Sequence, residues 1–260
     1  MDFGMPYLLE AKSIEECCAL ARELGLSFVE LNANFPPCLP ESLDPAFLHR
    51  LMGKYGVYFT FHMEEECDPF TFNSAVRQAW MNSARRVLSL AAALQMPTVN
   101  MHFPRGVYVT LPERKAFMYA EYEEELQQGL AEYRTMCEET LADTGVRIGI
   151  ENTSGWQPHE RRAIEFLLGS PVFGLTLDIG HCHGTGNADE PFYRQHTDRL
   201  IHMHGHDALG RKDHLALGDG EIDLRERFSW AKRVQARIVL ETKTIQALRT
   251  SVKRLPQILS

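Results

Sequence analysis

Six polar side chains close six short apolar runs of this 260-residue chain: His62, His102, Glu151, Asp178, His204 and Glu241. One such histidine or acid is usually an ordinary polar group with a local partner. Six at the same positional phase would each need a separate buried partner, a cost that a shared cation removes. Carboxylates mixed with imidazoles suit a divalent ion such as Mn²⁺, Zn²⁺ or Mg²⁺, and the lack of a cysteine among them leaves the choice of metal open.

The runs themselves are strand-like: Val57 to His62, Thr98 to His102, Val146 to Glu151, Gly174 to Asp178, Leu200 to His204 and Ile238 to Glu241 are rich in β-branched and aromatic residues. Side chains alternate across a strand, so a terminal ligand facing a barrel axis takes the residue two before it to the same side. That places Thr60, Asn100, Gly149, Thr176, His202 and Val239 inside. The residues of opposite phase are Phe59, Phe61, Val99, Met101, Ile148, Ile150, Leu175, Leu177, Ile201, Met203, Ile238 and Leu240. All are apolar, as a sheet covered by helices requires.

Helical periodicity fills the intervals: Lys12 to Leu24, Pro45 to Tyr55, Ser74 to Leu94, Glu113 to Ala142, His159 to Leu168, Phe192 to Asp198, Leu224 to Val234 and Ile245 to Leu255. In the first, Ser13 is placed to cap the N-terminus and Gly25 to end the helix. With strands expected at Phe3 to Leu9 and Ser27 to Asn32, eight strands alternate with eight helices. This pattern implies one α/β domain over residues 1–260, a (β/α)8 TIM barrel with its chemistry at the carboxyl ends of the strands. No Pro/Gly/Ser-rich linker or charge block interrupts the alternation.

The six cysteines form no Cys-x-x-Cys pair, and no basic segment followed by an apolar one opens the chain. A reducing cytoplasm, with no targeting signal and no membrane span, is the expectation. Cys182 has no partners for a nucleophile triad and reads as packing.

The segments Glu151-Asn152, Leu177-Asp178-Ile-Gly-His181, His202-Met-His204-Gly-His-Asp207, Asp213-His214-Leu-Ala-Leu-Gly218-Asp-Gly220 and Leu240-Glu241 together resemble the sugar phosphate isomerase/epimerase superfamily. These are the xylose isomerase-like TIM barrels, which include the endonuclease IV type, and the resemblance covers nearly the whole chain. It implies a metal held by Glu151, Asp178, His204 and Glu241, with Glu151 and Glu241 also acting as a proton-transfer pair and His181 touching substrate. A metal that chelates a carbonyl and its neighbouring hydroxyl acidifies the carbon-bound hydrogen and stabilises the enediolate, while one carboxylate removes the proton and the other returns it.

The phosphodiesterase branch of the same superfamily uses three metals, for which His62 and His102, and His181 with Asp213 and His214, are candidate ligands or, in an isomerase, substrate contacts. Here Lys212 stands where the endonuclease pattern Asp-x-His expects its aspartate, because Asp213 directly precedes His214. The arginine that epimerases carry six residues after the metal histidine falls on Gly210, with Arg211 one further. A third alternative is a metal-retaining barrel that binds a sugar without turnover.

Charge favours the isomerase. The chain has 27 Lys plus Arg against 35 Asp plus Glu, a formal charge of −8, which disfavours a nucleic acid partner. The mouth loops contribute Glu64, Glu65, Glu66, Asp68, Asp189, Glu190, Asp219 and Glu221 against Arg105, Arg211, Lys212 and Lys243. A small sugar or sugar phosphate is the expected substrate, with Trp156 stacking on it or anchoring its loop, and Arg105 and Arg211 as candidate contacts. His183 and His206 flank stronger candidates and point the opposite way where the backbone stays extended; His49, His159 and His196, on helices or their edges, read as bland, and the oligomeric state stays open.

Overall fold

A computed structural model describes residues 1–260. Its central sheet closes on itself, each strand parallel to its sequence neighbours and the last beside the first. In chain order the barrel strands are Phe3–Pro6, Phe28–Asn32, Tyr58–His62, Thr98–His102, Arg147–Glu151, Phe173–Asp178, Leu200–Gly205 and Arg237–Leu240. Their outer helices are Ile14–Glu23, Pro45–Tyr55, Ser74–Ala93, Glu123–Leu141, Pro158–Leu168, Glu190–Gln195, Leu224–Val234 and Ile245–Leu259. Ser13 caps the first by accepting from the Glu16 backbone N–H. No helix is long and apolar enough to cross a membrane.

The outward residues expected from alternation are all buried, and all but Ile201 join one apolar core between sheet and helices. The six cysteines are free and buried. Burial pushes the Cys182 thiol up to about 12, as suits an inert packing residue.

Three segments depart from the sequence expectation. The stretch from Glu113 to Ala142 is not one helix. Tyr108–Thr110 and Lys115–Phe117 pair as an antiparallel hairpin, followed by a short helix, Met118–Glu121, and then Glu123–Leu141. The reason is local: Tyr108, Val109 and Thr110 favour extended backbone, Pro112 sits in the turn, and Tyr122 breaks the helix at φ −124°, ψ 59°. The sixth outer helix is shorter than expected and gives way to a 3₁₀ turn at Thr197–Arg199. A helix unanticipated from sequence, Ile179–Gly184, starts directly after the sixth strand, with Asp178 as its N-cap.

The barrel's interior is polar through its middle and aromatic at its base. Gly4 is in register with Phe28, and Phe28 with Tyr58, whose rings stack at 5.1 Å. A Cβ on Gly4 would come within 2.4 Å of the Phe28 ring, which is fully buried and packed against Tyr58 and His202. Gly4→Ala should therefore overpack the base and lower stability by about 1–3 kcal/mol. Urea unfolding of the purified variant checks this; an unchanged midpoint would show that the ring gives way freely.

Candidate metal centre

The strand registers bring the expected ligands to one end. Asp178 is level with His204, and His102 with Glu151, while Glu241 follows directly on the eighth strand and donates its backbone N–H to Gly205 O. One ligand atom each from Glu151, Asp178, His204 and Glu241 lies within 4.8 Å of the others. All four side chains are buried except Glu241, which is partly so.

His204 is the pivot. Its Nε2 lies 2.9 Å from Glu30 Oε1, and its Nδ1 faces Glu241 Oε2 at 2.9 Å, Glu151 Oε1 at 3.2 Å and Asp178 Oδ2 at 3.8 Å. Glu30 is itself buried, 3.0 Å from His202 Nε2, and accepts from Thr60 Oγ1 at 2.9 Å. Burial pulls the His204 imidazole towards neutrality, but Glu151, Glu241 and Glu30 outweigh it and hold its pKa well above the usual value. Burial likewise raises each carboxyl; the imidazoles, His204 foremost for Glu151 and Glu241 and His206 for Asp178, more than reverse this. All three are held below their ordinary range.

Glu241 Oε2, although 2.9 Å from His204 Nδ1, makes no hydrogen bond of good geometry and is otherwise buried. With Nε2 donating to Glu30, a neutral His204 turns a lone pair on Nδ1 towards three carboxylates. One nitrogen and three carboxylate oxygens converge where positive charge is wanted, a donor set that fits Mn²⁺, Zn²⁺ or Mg²⁺.

Two further clusters adjoin this one. His62 Nδ1 is 2.7 Å from Met63 O, which fixes the proton there and turns Nε2 to Glu151 Oε2 at 3.4 Å; His102 Nε2 reaches the same oxygen at 3.5 Å. The His62 pKa is pushed up to about 9, burial being outweighed by Glu151. His181, Asp213 and His214 form the other, since Asp213 Oδ1 lies 2.8 Å from His214 Nδ1 and Oδ2 lies 3.9 Å from His181 Nε2. The backbone of His214 is left-handed at φ 55°.

The remaining expected residues divide. Arg105 lines the cavity but donates to Gly155 O at 2.8 Å and pairs with buried Glu160 at 3.5 Å. Trp156 is buried and stacked on Tyr193 at 5.3 Å, so it anchors its loop rather than offering a face to substrate. Arg211 sits exposed in the turn of the hairpin Asp207–Leu209/Lys212–Leu215, away from the cavity lining. His183 pairs with Glu221 at 2.9 Å outside the cluster. His206, expected from sequence to point the opposite way, is fully buried with Nε2 3.0 Å from Asp178 Oδ2. The expectation that it points away assumed extended backbone; beyond Gly205 the chain turns into the hairpin. Glu30 went unnoticed too, although a lone acid two residues before Asn32 in Phe28–Asn32 has the phase of an inward side chain.

The cavity over the cluster holds about 570 Å³, and Phe35 and Phe103 are its only large apolar walls. Of the acids expected at the rim, Glu65 and Glu66 line it. The others are engaged elsewhere: Glu64 with Ser83, Asp68 with Tyr119, Asp189 with Arg161, Glu190 with Arg194 and Arg227, Asp219 with Arg254 and Glu221 with His183.

Among solved structures of similar fold, a D-tagatose 3-epimerase-like protein is 24% identical with a TM-score of 0.79, the match covering 100% of this chain and 97% of that one. The IOLI protein with a bound zinc atom is 15% identical with a TM-score of 0.77, over 100% and 98% of the two chains. The 3-keto-D-glucoside 4-epimerase YcjR of E. coli is 15% identical with a TM-score of 0.76, over 99% and 98%. An uncharacterised protein of Methanocaldococcus jannaschii is 27% identical over 214 residues, which are 77% of this chain and 69% of the relative. Residues 18–258 match the xylose isomerase-like TIM barrel family, and the chain belongs to it.

Proposed function

We propose that the protein is a divalent-metal-dependent isomerase or epimerase of a small sugar or sugar phosphate, working by proton transfer. The observation that carries this reading is the convergence of Glu151 and Glu241, with Asp178 and His204, at the floor of a polar cavity. A cation bound by these four would supply a Lewis acid for a carbonyl and its neighbouring hydroxyl, and would offset the charge that develops as the adjacent carbon loses its proton. Glu151 and Glu241 both reach the same imidazole nitrogen, so a sugar carbon over that point has a carboxylate base and a carboxylate acid to hand. His62, His102 and His181 line the wall and can donate to sugar hydroxyls. The similar fold of proteins named as ketose and keto-sugar epimerases supports the reading.

A second reading, a phosphodiesterase of the endonuclease IV type, is favoured by one observation: the clusters His62, His102, Glu151 and His181, Asp213, His214 flank the central one. Against it stand Glu65 and Glu66 on the cavity wall, and the engagement of Arg105 with loop carbonyls and Glu160. Three bound metals by elemental analysis together with cleavage of abasic-site DNA would reverse the ranking. A barrel that binds Mn²⁺ and sugars but turns over no ketose would support the non-catalytic alternative.

Cation binding should release protons. The His204 imidazole is held protonated well above its usual pKa and must lose that proton to ligate, so affinity for Mn²⁺ should rise with pH. Calorimetry in buffers of different ionisation enthalpy should report about one proton released per ion. Binding without proton release would place the ion elsewhere.

During turnover of a suitable ketose, the substrate's carbon-bound hydrogen should exchange with solvent deuterium. Glu151→Gln or Glu241→Gln, assayed at saturating Mn²⁺ because each also removes a ligand charge, should slow exchange by about 10²–10⁴-fold. Product free of solvent deuterium would indicate an internal hydride shift, and exchange surviving both replacements would remove the carboxylate pair from the mechanism.

A further inference from the structure

His206 lies among groups that could themselves hold a cation: Asp178, His206, His214 and Glu241 present ligand atoms within 4.8 Å of one another. Its hydrogen bonds argue for a different role. The backbone N–H of His214 points at His206 Nδ1 from 2.8 Å, and a backbone N–H can only donate. Nδ1 must therefore carry a lone pair, because a proton there would collide with that N–H; the Asp207 carbonyl, the other neighbour of Nδ1, is farther at 3.4 Å. The remaining proton of a neutral imidazole then sits on Nε2, which lies 3.1 Å and 3.0 Å from the two oxygens of Asp178. A nitrogen that carries a proton cannot ligate a metal.

We infer that His206 is a positioning residue, a neutral Nε2–H donor that holds the Asp178 carboxylate and ties it to the hairpin carrying Asp213 and His214. The inference rests on the metal reading above for its consequence, the presetting of the cation site, but not for the tautomer.

Three further features bear on it. Asp178 Oδ1 also accepts from the His181 backbone N–H at 2.6 Å, so two donors fix the carboxylate plane and leave Oδ2 turned towards His204 Nδ1 at 3.8 Å. The ring's place is kept open by Gly180, where a Cβ would lie 2.0 Å from His206 Cε1 and 2.5 Å from Nδ1. The ring further stacks on His214 at 4.3 Å and 5°, so the first residues past the seventh strand and the outer strand of the hairpin are clamped through one side chain. A hydrogen-bond partner of a ligating group typically changes metal affinity by about 10–100-fold when removed.

The test uses the full-length protein at fixed pH, with Mn²⁺ as the probe. Nitrogen NMR of the imidazoles in the metal-free protein should report His206 as the neutral Nε2–H tautomer; an Nδ1–H tautomer or an imidazolium would overturn the assignment whether or not any metal binds. In calorimetry, His206→Phe keeps a ring but no donor and should weaken Mn²⁺ by about 10–100-fold. His206→Gln restores an N–H near the Nε2 position and should recover most of that loss. Gly180→Ala, which displaces the ring without touching either residue's chemistry, should weaken Mn²⁺ in the same direction as His206→Phe. Equal affinity in His206→Phe and wild type would overturn the inference while leaving the metal site intact. Equal loss in the Gln and Phe variants would make His206 a ligand or a packing group instead. Should the Phe variant fail to fold, the tautomer and the Gly180→Ala titration decide alone. A wild-type protein that binds no Mn²⁺ would fail the metal reading, and with it the presetting of that site, leaving the tautomer to judge only the contact with Asp178.

Discussion

The constraint on which the rest of the structure depends is the burial of carboxylates around one imidazole. Glu30, Glu151 and Asp178 are almost inaccessible to solvent and Glu241 is only slightly more open. Carboxylates removed from water at such close quarters are tolerated only when positive charge or hydrogen-bond donors compensate them. His204 stands at their centre, with Glu30 on one nitrogen and the other three on the second. Glu30 thereby does more than neutralise: by accepting from Nε2 it decides which nitrogen meets the cluster, as a carboxylate behind a metal-bound histidine commonly does.

The barrel around this cluster inverts the usual arrangement of a core. The apolar cluster lies outside the sheet, where Phe59, Ile148, Leu175 and Met203 meet the helices. Inside run Glu30, Thr60, Asn100, Thr176 and His202, each buried and polar. Some of these groups satisfy one another, as in Thr60 to Glu30 and Asn100 to Glu151, while Asn100 Oδ1, Thr176 Oγ1 and His202 Nδ1 have no hydrogen-bond partner. Asn152 extends the pattern between the fifth and sixth strands, its amide donating to Asp178 O and accepting from Asp178 N, both at 2.9 Å. The backbone behind Glu151 is thus joined to the backbone of Asp178, and the spacing of two of the four candidate ligands is set by a third residue.

Much of this was legible in the sequence because barrel strands carry two signals at once. Val99 and Met101 are apolar for the helices, while Asn100 and His102 are polar for the axis, so strand, phase and terminal ligand are read together. The four expected ligands accordingly meet in space. Legibility failed where alternation stopped. Glu30 closes no strand and was passed over, and His206 was assigned its direction from an extended backbone that ends at Gly205. The segment after the fourth strand was read as helix from its later half, while Pro112 and the β-formers before it make a hairpin. The rim acids were counted as a repulsive ring, yet most are tied to Arg, Ser, Tyr or His partners that no local pattern displays.

Loss of that ring changes the argument about substrate without reversing it. The cations on the cavity wall are Arg105 and Lys243. Arg105 holds the fifth-strand loop through Gly155 O and pairs with Glu160, and Lys243 Nζ lies 3.0 Å from Glu241 Oε1. A phosphoryl group entering here would draw Lys243 from Glu241, and in doing so would withdraw a neighbouring positive charge that favours the ionised form of one member of the proposed proton-transfer pair. A neutral sugar leaves that pairing in place and meets His62, His102, His181, Thr153 and Ser154 as hydrogen-bonding partners along the wall. On the proposed reading, charge at the mouth would discriminate through its connection to Glu241 rather than through bulk repulsion, and an uncharged polyol would disturb the cluster least.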